Sequence, residues 1–300
     1  MTRKKAYLLS GGIVPLLENR YKFSLDEPTK DNIREVEHDY FLDMNMHLHG
    51  RKDKDDNGKF EWDLKFFTDL AINRSMREVV AAHHSNRPLI SFDDVYCTDL
   101  ADGKYHITRI NDPFDLDKKP LHGPRLGYKK LEDQVRDIKR IFGNEIDVLD
   151  IGVFEGETLI SEAEGRFKNA GVSIKNVYTA FASKTSAENL KNRGMSLYSA
   201  NAFDWVDWLE LRDCLGFDGR KVIWEGEGEK PNGFFIRYDK KPSWASIPRG
   251  MEGKFTELYD KYFNKIRKYL KDYGIHADLI RSKHPSGNIH ELRIKPHDFE

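Results

Sequence analysis

Cysteine is scarce in this chain. Cys97 and Cys214 are its two in 300 residues, and they form neither a disulfide framework nor a metal-binding pattern, which suits a reducing compartment. Long apolar runs are also missing. None is long enough to span a bilayer, and the stretch behind the basic Met1-Thr2-Arg3-Lys4-Lys5 is too short for a signal peptide. Neither sign of charge prevails: 49 Lys and Arg stand against 50 Asp and Glu, so bulk charge gives no pull toward nucleic acid or membrane. No internal repeat is present. These absences predict a soluble cytoplasmic protein.

Aromatic residues are plentiful, with 18 Phe, 13 Tyr and 5 Trp. They can furnish a core although charged residues make up 33% of the chain. The length suffices for one large α/β domain with insertions, or for two small domains. Lys5-Ala6-Tyr7-Leu8-Leu9 reads as a buried strand stopped by Ser10-Gly11-Gly12, with helical spacing behind it through Ile13, Leu16, Leu17 and Tyr21. Residues 24–125 are rich in charge and His. A helix is expected over 62–82, strand-like pieces at 89–92 and 105–110, and a loop broken by Pro113, Pro120 and Pro124.

From residue 130 the rhythm is regular. A helix over 130–142 leads into an apolar strand. A helix over 158–170, a strand at 177–181, a helix at 185–193, a strand at 195–198 and an aromatic helix over 202–214 follow. Such alternation argues for a mostly parallel sheet. The run Glu225-Gly226-Glu227-Gly228-Glu229 marks a solvated loop. Phe255, Leu258, Tyr259, Tyr262, Phe263, Ile266 and Leu270 stripe a final helix, and Pro285-Ser286-Gly287-Asn288 turns a closing hairpin.

The densest signal is Ile146-Asp147-Val148-Leu149-Asp150-Ile151-Gly152-Val153-Phe154-Glu155-Gly156-Glu157-Thr158. An apolar strand ends in an acid, a glycine-bearing loop follows, and a helix opens at Thr158. That layout sets backbone N–H groups and a helix N-terminus beside the carboxyl end of a strand, where α/β proteins bind phosphates and nucleotides. With the helix ending in Asn169-Ala170-Gly171 and the next strand Val177-Tyr178-Thr179-Ala180-Phe181-Ala182-Ser183, this stretch resembles type I phosphoribosyltransferases. Their signature is four apolar residues, two acids, a short variable run and Thr-Gly-x-Thr. Asp150 takes the place of the first acid, Gly156 that of the glycine and Thr158 that of the last threonine. Ala6-Tyr7-Leu8-Leu9-Ser10-Gly11-Gly12 is similar to the strand and pyrophosphate loop of the same family.

The resemblance implies a phosphoribosyltransferase-like α/β core over residues 1–240, with a large insertion at about 24–130 and a C-terminal α+β extension over 241–300 that packs as a hood. It implies a small-molecule nucleotide or sugar phosphate as ligand and magnesium as cofactor. The reaction would displace pyrophosphate from a ribose C1. Asp150 would steer the ribose, the loop Glu155, Gly156, Glu157 and Thr158 would hold the 5-phosphate, and Ser10, Gly11 and Gly12 the pyrophosphate. The resemblance leaves room for a homo-oligomer or a protein partner.

The chain departs from the family pattern at three places. Ile151 replaces the second acid and cannot accept a ribose hydroxyl. Glu155 replaces a threonine, and Glu157 sits beside it. Two carboxylates at ~4–6 Å from a phosphate would cost on the order of a kilocalorie or more each at an effective dielectric near 20. Two further readings therefore stay open. Asp150-Ile151-Gly152-Val153-Phe154-Glu155-Gly156 also resembles the D-x-G-x-x-x-G loop of methyl transferases that use S-adenosylmethionine, whose cationic ligand tolerates the glutamate. In that reading Asp150 and Gly152 meet the cofactor. The other reading is a ligand-sensing or partner-binding module without turnover.

Weaker signals lie elsewhere. His47 and His49 share one face if they lie on a strand, and would then suit a metal, although exposed polar histidines are the simpler reading. His83 and His84 follow a helix and suit its terminal carbonyls. Asp53-Lys54-Asp55-Asp56-Asn57-Gly58 begins like a calcium loop but has Leu64 where the bidentate acid belongs, so it reads as a solvated turn. Arg109, Lys118, Lys119, Arg125, Lys129 and Lys130 make either a solvated surface or a loop that closes over an anion. Trp205 and Trp208 could stack a base, or pack in a core with the indole N–H satisfied.

Overall fold

The computed structural model describes residues 3–49, 52–55, 58–110, 121–125, 128–204, 206–211, 220–221, 235–236 and 250–272. Strand β1 (Arg3–Ser10) leads into α1 (Ile13–Pro15), which continues as a π-helical turn, Leu16–Arg20. Helix α2 (Glu27–Leu48) starts where Asp26 accepts the Thr29 N–H at 2.8 Å, with a proline in its first turn. It buries Ile33, Val36, Tyr40, Met44 and Leu48, spaced three or four apart. Strands β2 (Lys52–Asp55) and β3 (Gly58–Phe67) pair antiparallel, so residues 53–55 and 58 of the calcium-loop stretch belong to a strand pair. Helix α3 (Asp69–His83) opens where Thr68 accepts the Ala71 N–H.

Short strands β4 (Leu89–Ser91), β5 (Gly103–Lys104), β6 (Ile107–Ile110) and β7 (Leu121–Pro124) come next, then α4 (Leu131–Phe142) and β8 (Glu145–Val153). Helix α5 (Glu157–Glu162) runs on as the π-helical turn Ala163–Phe167. Strand β9 (Ser173–Ser183), α6 (Lys184–Lys191), β10 (Ser196–Phe203) and β11 (Val206–Glu210) follow. Strands β12 (Arg220–Lys221) and β13 (Phe235–Ile236) and helix α7 (Glu252–Asp272) complete the described chain. No helix among the described residues is long and apolar enough to cross a membrane.

The chain divides into two compact units. The first holds residues 1–66, 108–128 and 207–300, the second 67–107 and 129–206. In the first, a four-stranded sheet has the order β11-β1-β3-β2. Helix α7 lies against α2: the Tyr262 hydroxyl and Lys261 Nζ each donate to Asp43 Oδ2 at 2.6 Å, and the Tyr40 and Tyr262 rings meet edge to face. Phe255, Leu258, Tyr259, Tyr262, Ile266 and Leu270 of the expected stripe are buried.

The second unit is a parallel five-stranded sheet in the order β10-β9-β8-β4-β5, which bears out the α/β expectation. Ile90, Ile146, Val148, Val177, Phe167, Leu159 and Leu190 form its core with Phe92 and Tyr105. From β4 the chain steps to β5 on one side. It then returns through α4 to β8 on the other side and moves outward through β9 and β10. The strand order therefore reverses between β4 and β8, and open α/β sheets bind ligands at the carboxyl ends flanking such a reversal. At the opposite edge, buried Asp147 accepts from Ser85 Oγ at 2.7 Å and Arg87 Nε at 2.9 Å, which clamps the start of β8.

Several expected elements differ. The helix expected over 62–82 is strand as far as Phe67, because Phe60, Trp62, Leu64 and Phe66 alternate and Thr68 supplies the cap that starts the helix. The aromatic helix expected over 202–214 is strand from Val206 to Glu210. His47 lies in the last turn of α2 and His49 caps it, so the two imidazoles do not share a strand face. His84 caps α3, and its Nε2 meets the Arg87 carbonyl at 3.0 Å instead of a carbonyl of the helix. Lys118, Lys119, Trp205, the Glu225–Glu229 run and the closing hairpin lie outside the described residues.

Candidate functional site

The carboxyl end of β8 is shaped by Gly156, whose φ of +79° is a left-handed conformation that glycine adopts without strain. Three successive carbonyls ahead of it are tied to α6 and its cap. Ser186 Oγ donates to Val153 O at 2.8 Å, Ser183 Oγ to Phe154 O, and Asn189 Nδ2 to Glu155 O at 3.2 Å. In a trans peptide the C=O of one residue and the N–H of the next point in opposite directions. Turning these carbonyls toward α6 therefore turns the N–H groups of Phe154, Glu155 and Gly156 away from it. Consecutive amides turned to the same side at the head of a helix suit an anion.

The predicted side chains around this loop separate by burial. Glu155 and Glu157 are exposed, and Thr158 is half-buried. Asp150 is half-buried on β8, opposite Thr179 of β9, and its Oδ1 accepts the N–H of Ile151 at 2.8 Å. Ile151 is 3% exposed. The place of the missing second acid is thus a core position, where a carboxylate would be costly. Gly152 is covered by the Phe154 ring, since a Cβ there would lie 2.9 Å from Phe154 Cζ. The close approach that a methyl transferase offers its cofactor over this glycine is filled here by the chain itself.

Across the strand reversal, residues 92–102 carry the chain from β4 to β5. Phe92, Asp93, Asp94, Val95, Tyr96 and Cys97 are all buried, which is unusual for a connection. Asp93 Oδ1 accepts the N–H groups of Val95 and Tyr96 at 2.6 and 2.8 Å, while Asn73 Oδ1 accepts that of Cys97 at 3.0 Å. The Phe92 N–H donates to Leu149 O at 2.8 Å and fixes this connection to β8. Sequence reasoning passed over Asp93 and Asp94; a strand-like Leu89–Phe92 ending in two acids was the available signal. Burial pushes the Cys97 thiol up to about 12.

Ser10, Gly11 and Gly12 are placed otherwise than Asp150, because β1 belongs to the sheet of the first unit and β8 to that of the second. A carboxylate already occupies their loop. Buried Glu37 Oε1 accepts the N–H groups of Gly12 and Ile13 at 2.9 and 3.0 Å, and Ser10 Oγ accepts from Trp208 Nε1 at 3.0 Å. The loop's amides are thus taken by the chain's own carboxyl group. The satisfied indole matches the packing expectation for Trp208. Among the described residues no group of three or more His, Cys, Asp and Glu side chains is placed to hold a metal ion.

No family model matches the chain, and no curated protein matches it. Among solved structures it is similar to the orotate phosphoribosyltransferase of Mycobacterium tuberculosis H37Rv in complex with inorganic phosphate. The match covers 57% of this chain and 96% of that one at 12% identity, with a TM-score of 0.30, too slight to carry a conclusion.

Proposed function

We propose that the second unit binds a phosphorylated small molecule, a nucleotide or sugar phosphate, at the carboxyl edge of its parallel sheet beside β8. The single observation that carries this reading is the set of three carbonyls, Val153, Phe154 and Glu155, fastened to α6 so that the amides of Phe154, Glu155 and Gly156 turn away from α6. Gly156 and Thr158 meet the phosphate, and half-buried Asp150 steers a sugar hydroxyl. The exposure of Glu155 and Glu157 lets water screen them, which lowers their repulsion from the phosphate toward the aqueous limit. Magnesium fits this site only as an ion carried in by the ligand's phosphates, because Asp150 alone of the loop's acids is partly shielded. If the site is active, the reaction is displacement at a ribose C1 through an oxocarbenium-like state. Catalysis there is positioning and charge stabilisation by Asp150 and the loop amides.

The occupation of the Gly12 loop by Glu37 favours a second reading, binding without turnover, since the Gly12 amide expected to hold pyrophosphate is already bonded, as is that of Ile13 behind it. Calorimetry with phosphoribosyl pyrophosphate, nucleotides and S-adenosylmethionine, with and without magnesium, tests both. The expected result is binding of a phosphorylated ligand that Thr158→Val weakens. Failure of every phosphorylated ligand to bind would sink the proposal. Nucleotide turnover abolished by Asp150→Asn would remove the second reading.

A further inference from the structure

A surface groove of about 530 Å³ lies where α4 gives way to β8, lined by Arg136, Lys139, Arg140, Asn144 and Ala170. Three cations and no carboxylate line it. Arg136 and Arg140 are one helical turn apart with Lys139 between them in sequence, a spacing that brings all three toward one side of α4. Lys139 is held in place: its Nζ donates to Ala170 O at 2.7 Å. It also sits against Gly171, where an added Cβ would lie 3.1 Å from Nζ and where the φ of +73° already favours glycine. The two arginines are 73% and 74% exposed, and each is bonded to a carboxylate one turn back, Asp133 and Asp137. Exposed ion pairs of this kind are weak and exchange readily.

We infer that this groove is a second anion site, one that takes a phosphate or pyrophosphate group. A tethered ammonium beside two exposed guanidiniums matches a compact multivalent oxyanion, which arginine binds through paired N–H groups. An extended polyanion fits less well, because Asp133 and Asp137 flank the cations along the same helix. The groove lies at the amino end of β8, whereas the Gly156 loop follows its carboxyl end. The nine residues of β8 set the two about 30 Å apart along the strand. The inference therefore stands apart from the proposed nucleotide site.

The test is isothermal titration calorimetry of the whole chain at low ionic strength with inorganic phosphate, pyrophosphate and a short single-stranded oligonucleotide. We expect pyrophosphate affinity at one site to fall roughly tenfold or more in Arg136→Gln/Arg140→Gln and to persist in Thr158→Val. Lys139→Gln should weaken the same site, and serves as the second variant if the double substitution lowers the melting temperature. Phosphate binding with pyrophosphate excluded would assign the site to free phosphate, and stronger pyrophosphate binding to a diphosphate. Unchanged pyrophosphate binding in both groove variants would overturn the inference. Tighter binding of the oligonucleotide, lost with the arginines, would overturn it in favour of a nucleic-acid face.

Discussion

Replacing Ser183 by alanine removes two bonds at once. Ser183 Oγ donates to the Phe154 carbonyl and accepts the Ser186 N–H at 3.0 Å as the cap of α6. Loss of a serine cap costs about 1 kcal/mol. The Phe154 carbonyl belongs to a half-buried residue, so losing its donor adds about 1 kcal/mol, the lower end for an unsatisfied group. The sum is about 2 kcal/mol. With a urea slope of about 2 kcal/mol per molar, the midpoint should fall by about 1 M. Ser173→Ala, at an exposed position of β9, is the control and should stay within about 0.5 kcal/mol. Ser183→Ala also releases the peptide that turns the Glu155 N–H away from α6, so affinity for a phosphorylated ligand should drop along with stability. A midpoint indistinguishable from the control would refute the described tether. A full loss of stability with unchanged ligand affinity would leave the tether intact and refute its role in presenting the amides.

Three other predictions follow from buried or bonded groups. Glu37→Leu leaves the Gly12 and Ile13 N–H groups without their side-chain acceptor, and chemical denaturation should show a loss of about 2–4 kcal/mol, since a buried donor left unsatisfied costs about 1–2 kcal/mol at the lower end of the usual range. Bonds from Lys261 and then Tyr262 hold the Asp43 carboxyl below its ordinary value, so its contribution is present above the unfolded carboxyl pKa near 3.8 and is lost as pH falls below that. Melting temperature should therefore decline less steeply below pH 4 in Asp43→Asn than in the parent chain, and parallel curves would contradict the linkage. Cys97, buried and with its thiol pushed up to about 12, should resist alkylation at pH 8 in a Cys214→Ser background until denaturant is added; rapid labelling of the native chain would count against its burial.

The second unit was legible because β8 and β9 are apolar, bounded by turn residues and each followed by a helix of the right period. Gly156 was legible for the same local reason. What holds its loop was not: Ser183, Ser186 and Asn189 lie 29 to 34 residues away from the carbonyls they grip, and nothing in their local sequence marks them as anchors. Glu37 reaches Gly12 from 25 residues on, and it sits in a helix whose many charges conceal a buried stripe. Strand β11 was misread because its neighbour is β1, near the far end of the chain, and short aromatic segments take the conformation that such pairing imposes.

The order in which the parallel strands occur has a consequence for how the chain folds. β8, β9 and β10 are consecutive in sequence and adjacent in the sheet, so residues 145–203 can pair through short loop closures. β4 meets β8 through only three residue pairs, Leu89 with Asp147, Ile90 with Val148 and Ser91 with Leu149, across more than fifty residues of intervening chain. The strand reversal beside which the proposed ligand sits should thus be the last seam of this sheet to close and the first to open. Amide exchange would show it, with β8 and β9 protected longest and β4 released early.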